Sequence, residues 1–202
     1  MRIIIAAAIG YLLGNVQAAY ILGKLVKKID IREHGNSNAG ASNVTTVMGW
    51  KYGIITALVD IMKAVVAVLI IEAIWTDSSF LPFIAGIFVI LGHVFPIFLG
   101  FKGGKGTASI IGMVLAIDYR IAVILIISII IITIITDYIA IGTIVIVSIL
   151  PVAIYIANYP MQAVIVCIVI AVLSIYKHVP NVKRIIKKEE IGLKETIRRK
   201  KK

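Results

Sequence analysis

The sequence predicts an all-α, polytopic membrane protein of about seven transmembrane helices, with its N-terminus outside and its C-terminus cytoplasmic. Three observations lead there. The 202 residues are 60% hydrophobic and only 15% charged, whereas soluble domains run near one half and one quarter. Mean hydropathy is +1.05, and the apolar residues form runs long enough to cross a ~30 Å hydrocarbon core. Basic residues collect in alternate loops, as the positive-inside rule requires. The expected organisation is a helical membrane domain over 1–178 and a basic cytoplasmic tail over 179–202, with no room for a separate soluble domain. The single cysteine, Cys167, lies in an apolar run and excludes an intramolecular disulfide or a cysteine metal site. The histidines His34, His93 and His178 are too scattered for a metal cluster, so neither metal nor cofactor is expected. The net charge of +11 is confined to loops and tail, which points to topology and anionic membrane lipid and not to nucleic acid.

The expected spans are 3–25, 53–75, 80–100, 107–118, 120–136, 139–157 and 160–177. Arg2 before an apolar run imitates a signal peptide, but Asn15 and Gln17 interrupt that run and further spans follow, so it is retained as a helix. Trp50 and Trp75 bracket the second span as interfacial aromatics do. The fourth is too short to cross unless it begins in the preceding glycine-rich loop or is re-entrant. With this arrangement eighteen of the 21 basic residues fall inside: Lys24, Lys27, Lys28, Arg32 and Lys51 in the first loop, Lys102 and Lys105 in the second, and the rest from Lys177 onward. No internal repeat is evident.

The run from Gly92 to Gly106 (GHVFPIFLGFKGGKG) is the most informative stretch. Glycines permit close backbone approach, exposed N–H groups and a following helix N-terminus favour anions, and Lys102 and Lys105 add positive charge. Thr107 or Ser109 is positioned to cap that helix. A phosphate site fits; a flexible turn whose lysines merely follow the charge rule fits the same residues. A nucleotide P-loop does not, because Leu99 stands where its first glycine belongs and Gly106 where its serine or threonine belongs. The loop His34–Asn43 (HGNSNAGASN) gathers amide and hydroxyl groups suited to phosphate and hydroxyl oxygens, although such residues also make ordinary turns. Two such loops on one side of the membrane favour a site. Asp60 and Lys63, three apart in an apolar span, read as a structural ion pair facing the bundle interior, with catalysis the lesser alternative. His93 suits either a general base or a packed residue orienting a loop. His178 and Asn181 share a helical face at the start of the tail.

These residues carry a resemblance. Gly92 to Gly106, the loop from His34 to Asn43, the Asp60–Lys63 pair and the series His178, Asn181, Arg184 resemble the acyl-phosphate glycerol-3-phosphate acyltransferases, the PlsY family, collinearly from about Gly14 to Glu190. The resemblance implies a multi-pass enzyme of the bacterial inner membrane, with its site facing the cytoplasm. It would transfer a fatty acyl group from acyl phosphate to glycerol 3-phosphate, giving lysophosphatidic acid and phosphate, beside a PlsX-type enzyme that makes the donor. It implies Lys102, Gly103, Gly104, Lys105 and Gly106 as the glycerol-3-phosphate site, with Asn36, Asn38, Gly40 and Asn43 also binding substrate. His178, Asn181, His93 and Ser37 become the catalytic candidates. The chain departs from the pattern where Asn36 replaces a serine, Ser37 a glycine, and Thr46 an arginine; Ala140 and Asn15 each replace a serine. Threonine cannot supply the bidentate phosphate contact of arginine. A non-catalytic relative binding a polyol phosphate or acyl phosphate is therefore the alternative. A small organic-phosphate transporter fits less well, since its site belongs near mid-membrane.

Overall fold

A computed structural model describes residues 1–199; Lys200, Lys201 and Lys202, the end of the expected basic cluster, lie outside the described residues. The described residues form α-helices joined by short turns, with no strand among them, and divide into two compact units, Met1–Asp118 and the part from Tyr119 on.

The first unit contains α1 (Arg2–Gly14), α2 (Ala18–Leu22), α3 (Ala41–Met48), α4 (Trp50–Ile74), α5 (Leu81–Val94) and α6 (Thr107–Ile117). The span expected as one helix over 3–25 is broken at Asn15–Gln17 and ends in a π-helical turn, Gly23–Lys27. Side chains at the break explain it. Asn15 donates to Tyr11 O at 2.7 Å and accepts from the Ile97 N–H at 2.8 Å. The Gln17 amide donates to the carbonyls of Gly14 and His93 at 3.2 Å. Local side-chain bonding of this kind competes with the helical ladder, and here it also serves the end of α5. Arg2–Lys27 as a whole remains long and apolar enough to cross a membrane.

Glycines set the helix spacing. A Cβ at Gly10 or Gly14 would collide with the Ala85 or Val89 carbonyl of α5, and one at Gly92 with the Tyr11 carbonyl of α1. Gly112 brings α6 against the Ile61 carbonyl of α4 in the same way. Such close backbone contact is how helices associate in lipid, where burial of apolar surface gives no preference for a neighbouring helix.

Among the described residues six segments are long and apolar enough to span: Arg2–Lys27, Trp50–Ile74, Leu81–Leu99, Tyr119–Thr136, Ile139–Ile156 and Met161–Ile186. The short fourth candidate, α6, covers about 16 Å, roughly half of the hydrocarbon core. The chain compensates before it. After α5 it turns through Gly100 and Phe101, both at φ 61, and doubles back. The Gly103 and Gly104 N–H groups donate to Val94 O and His93 O at 3.2 and 3.0 Å, so α6 starts level with the last turn of α5. Its N-cap is Gly106 at φ 90, with no side-chain cap bond, instead of Thr107 or Ser109 as expected. The Ser109 hydroxyl is turned to Asp60 O at 3.3 Å.

The second unit contains α7 (Tyr119–Thr136), α8 (Ile139–Ile156), α9 (Met161–Ile186) and α10 (Leu193–Arg199). Helix α9 continues through Pro180 well past 177. The tail then folds back: the Leu193 N–H donates to Asp137 O and the Lys194 N–H to Asp137 Oδ1, both at 2.8 Å. Asp137, in the α7–α8 turn, thus caps α10 from another element, on the side where α9 ends. Ile124, Ile127, Ile131, Ile134 and Ile135 of α7 are exposed, a surface suited to acyl chains and not to water.

Gly14→Val should force α1 and α5 apart, because the colliding atom is backbone and cannot swing away. Overpacking of this kind costs about 1–3 kcal/mol. Thermal unfolding in detergent should show the loss, while Ile124→Ala on the exposed side of α7 should change stability by less than about 0.5 kcal/mol.

Candidate active site

The polar loop between α2 and α3 is organised by three side chains. Asp30 accepts from the Arg32 N–H at 3.0 Å and opens a short helical turn over Ile31–Glu33. The Arg32 guanidinium grips both Asp30 carboxylate oxygens, at 3.0 and 2.7 Å, and donates to Leu99 O at 2.8 Å. Tyr20 lies beneath it, 5.4 Å from the ring centre. Arg32 therefore ties the glycine-rich loop to the first loop, and it holds the Asp30 carboxyl below the usual carboxylate range. Asn43, 1% exposed, is the third organiser. Its amide donates to Ile31 O, His34 O and Asn38 O at 2.9–3.0 Å, and its oxygen accepts from the Asn36 N–H at 2.7 Å. Asn43 is thus committed to loop backbone. Gly35, at φ 59, passes so close that a Cβ would strike the Asn43 oxygen. Ser37, at φ 52, is exposed at the tip of the loop, and Asn36, Asn38 and Gly40 are partly buried around it. Thr46 back-bonds to Ser42 O at 3.1 Å on α3.

Beneath these loops lies a buried charge cluster. Lys63 Nζ is 2.7 Å from Asp60 Oδ1, 2.7 Å from Val16 O and 2.8 Å from His93 Nδ1. Lys63, Asp60 and His93 side chains are each 4% exposed or less. The other face of the imidazole meets the glycine-rich loop: a Cβ at Gly104 would collide with His93 Nε2, and one at Gly103 with His93 O. Glycine at 103 and 104 is required by this approach, and both amides are committed to α5 carbonyls. These two amides are therefore not offered to an anion, and the positive charge beside them is that of Lys102, which is exposed, and Lys105.

In the second unit, His178 and Asn181 lie buried on α9. His178 Nδ1 is 2.8 Å from Ser174 O. The Asn181 amide donates to Glu190 Oε1 at 2.6 Å, and Arg184 Nε to Glu190 Oε2 at 2.5 Å. Among the described residues no group of three potential ligands could hold a metal ion.

Sequence reasoning missed Arg32, Glu190 and the contact of Lys63 with His93. Glu190 had a faint signal, as an acid following the His178, Asn181, Arg184 series. Arg32 had none that set it apart from the other loop cations.

The Asp30–Arg32 clamp has a defined pH dependence. A carboxyl whose folded pKa is depressed contributes stability above its unfolded value, about 3.9, and that stability is lost as pH falls through the lower folded value. The clamp should therefore be intact at neutral pH and fail only in strong acid. Arg32→Gln should release it at pH 7, seen as faster amide hydrogen exchange at Leu99 to Lys102.

Comparison with known proteins places this arrangement. The family model described as glycerol-3-phosphate acyltransferase matches residues 4–188. Glycerol-3-phosphate acyltransferase 1 of Oceanobacillus iheyensis is 44% identical over 201 residues, 96% of each chain. The glycerol-3-phosphate acyltransferase of Aquifex aeolicus is 33% identical over 187 residues, 92% of this chain and 96% of its own. Crystal structures of PlsY, an integral membrane glycerol 3-phosphate acyltransferase, match as well. Its glycerol 3-phosphate form has a TM-score of 0.88 at 31% identity, covering 96% of each chain. Its lysophosphatidic acid form has a TM-score of 0.86 and covers 98% of this chain and 99% of that one. Matched over nearly its whole length in sequence and in fold, the chain belongs to the glycerol-3-phosphate acyltransferase family and is an acyltransferase of a bacterial membrane.

Proposed function

We propose that this protein transfers a fatty acyl group from acyl phosphate to glycerol 3-phosphate, releasing lysophosphatidic acid and phosphate. The observation that carries the proposal is the match, over 96% or more of the chain, to a fold crystallised both with the acceptor and with the acylated product. The acceptor hydroxyl oxygen bonds to the acyl carbonyl carbon, the bond from that carbon to the phosphate oxygen breaks, and the hydroxyl proton leaves on phosphate. Because acyl phosphate is a mixed anhydride with a good leaving group, no covalent enzyme intermediate is needed. Positioning two mutually repelling anions and stabilising the tetrahedral oxyanion is the main task.

Lys102, Lys105 and the first turn of α6 suit a substrate phosphate, with Gly103, Gly104 and Gly106 shaping the loop. The first loop contributes Ser37, Asn36 and Asn38, on a framework that Gly40 and Asn43 support. His178 and Asn181 are assigned to the machinery by the family resemblance. The positive-inside distribution of eighteen of 21 basic residues supports a cytoplasmic face for both loops, where a PlsX-type enzyme would supply the donor. A purified-protein assay with acyl phosphate and glycerol 3-phosphate, following phosphate and lysophosphatidate together, tests the reaction. In it, Lys105→Ala should raise the glycerol-3-phosphate KM about tenfold or more, the equivalent of one charged hydrogen bond, with thermal stability unchanged. An unaltered KM would remove Lys105 from the site.

Thr46 favours a second reading, a relative that binds without turning over, since it stands where the family has a phosphate-binding arginine. If that arginine is a real loss, Thr46→Arg should lower KM or raise kcat by roughly tenfold, a charge-assisted contact being worth about 1.5–3 kcal/mol. Strong wild-type turnover with no gain would mean that Thr46 marks no impairment. Absence of turnover in both proteins would favour the binding-only relative.

A further inference from the structure

Two buried histidines of this chain are hydrogen-bonded in ways that fix where their protons sit. A backbone carbonyl only accepts, so His178 Nδ1, 2.8 Å from Ser174 O, carries the proton, and neutral His178 keeps its lone pair on Nε2. His93 is constrained in the opposite sense. The Lys63 ammonium has three N–H donors and no acceptor, and three partners lie within 2.8 Å: Val16 O, Asp60 Oδ1 and His93 Nδ1. The first two accept only, and the third N–H then requires a lone pair on Nδ1. Neutral His93 must carry its proton on Nε2. Moving a proton from Lys63 to His93 changes nothing at the far side of the ring, because the imidazolium keeps Nε2–H. Baring Nε2 requires Lys63 to lose its ammonium form without His93 becoming an imidazolium. That dissolves the charge pair with Asp60 in a cluster 4% exposed or less, a change opposed by the cost of an uncompensated buried charge.

We propose that Lys63 and Asp60 act as positioning residues which hold His93 with its proton on Nε2, so that His93 donates a hydrogen bond at Gly104 of the glycine-rich loop and does not serve as a general base. The role rests on the reading of that loop as a phosphate site: the acceptor is an anionic oxygen of the substrate held there. The tautomer rests only on the geometry of the cluster. Asp60 contributes twice, since its carboxylate keeps Lys63 charged and its Oδ1 lies 3.4 Å from His93 Nδ1, poised to draw a proton to that nitrogen should Lys63 be absent.

The test uses the full-length protein in lipid nanodiscs, with 15N-labelled histidine and NMR couplings that report which ring nitrogen bears hydrogen. His34→Gln and His178→Gln assign the His93 signals by elimination. The expected wild-type spectrum has a protonated Nε2 at His93, with the proton on Nδ1 at His178. In Lys63→Met, His93 Nδ1 should become protonated. In the acyl-phosphate assay His93→Gln, which keeps a donor, should retain about tenfold more kcat than His93→Leu. A wild-type His93 with a bare Nε2 overturns the proposal, and so do Gln and Leu variants that are equally inactive while folded. Should Lys63→Met fail to fold, the wild-type spectrum still decides the tautomer. Absence of turnover in the wild type would defeat the functional reading and leave the spectrum to be judged alone.

Discussion

An ammonium and a carboxylate inside an apolar helical bundle cost several kcal/mol each unless their hydrogen-bonding capacity is met. Lys63 and Asp60 meet that demand together with His93, and the first unit is arranged around the solution. The partners of Lys63 come from α4 itself, from the break between α1 and α2, and from the last turn of α5. An unbroken α1 would hold the Val16 carbonyl in its own ladder and deny Lys63 one acceptor. The same break frees Gln17 and Asn15 to reach across to the end of α5, and Tyr11 adds a bond to Phe95 O at 2.9 Å. With α5 so fixed, its final carbonyls are available to the Gly103 and Gly104 amides. The path of the glycine-rich loop thus follows from the placement of one buried charge pair.

Glycine makes that path possible at each step. At Gly10, Gly14, Gly92 and Gly112 the obstacle to a side chain is the backbone of a neighbouring helix, and at Gly103 and Gly104 it is His93. In the first set, small residues bring backbones together where lipid offers no hydrophobic drive. In the second, they let the loop lie on the His93 carbonyl at Gly103 and on its imidazole at Gly104. Arg32 then closes the arrangement from outside, bridging Asp30 and Leu99 O. The loop is held on one side by α5 and on the other by a charged clamp, which suits a part that must meet a substrate with little reorganisation.

The all-α class and the long spans are legible in the sequence because a bilayer imposes length and composition on every segment. The break in α1 is not, since residues 3–25 satisfy the length rule whether or not the helix is continuous. Asn15 and Gln17 are visible as polar residues in an apolar run, but the partners on α5 and beyond it that they reach lie 75 or more residues away. The Asp60–Lys63 spacing is local and readable; the contact of Lys63 with His93 crosses between helices, and periodicity carries no information about it. In the glycine-rich loop, sequence gives the residues but not the direction of the amides. Gly103 and Gly104 point theirs into α5, so neither amide is offered to an anion. In the first loop Asn43 looks like a ligand-binding amide, yet its side chain bonds to the backbone of Ile31, His34, Asn36 and Asn38.

The electrostatic division of labour follows from burial. The interior cluster pairs one cation with one anion and is neutral as a whole, which is the condition under which charge persists in a low-dielectric interior. The loops above it carry unbalanced positive charge, Lys102 and Lys105 on one and Lys24, Lys27 and Lys28 on the other, where water and lipid headgroups keep that charge inexpensive. A protein handling two phosphorylated molecules needs net positive potential at its surface and directional donors beneath it. Moving the surplus charge into the cluster would add a desolvation penalty without improving direction. Leaving the cluster out would remove the group that orients His93 under Gly104. Placing charge in the loops and geometry in the core satisfies both requirements with a short chain.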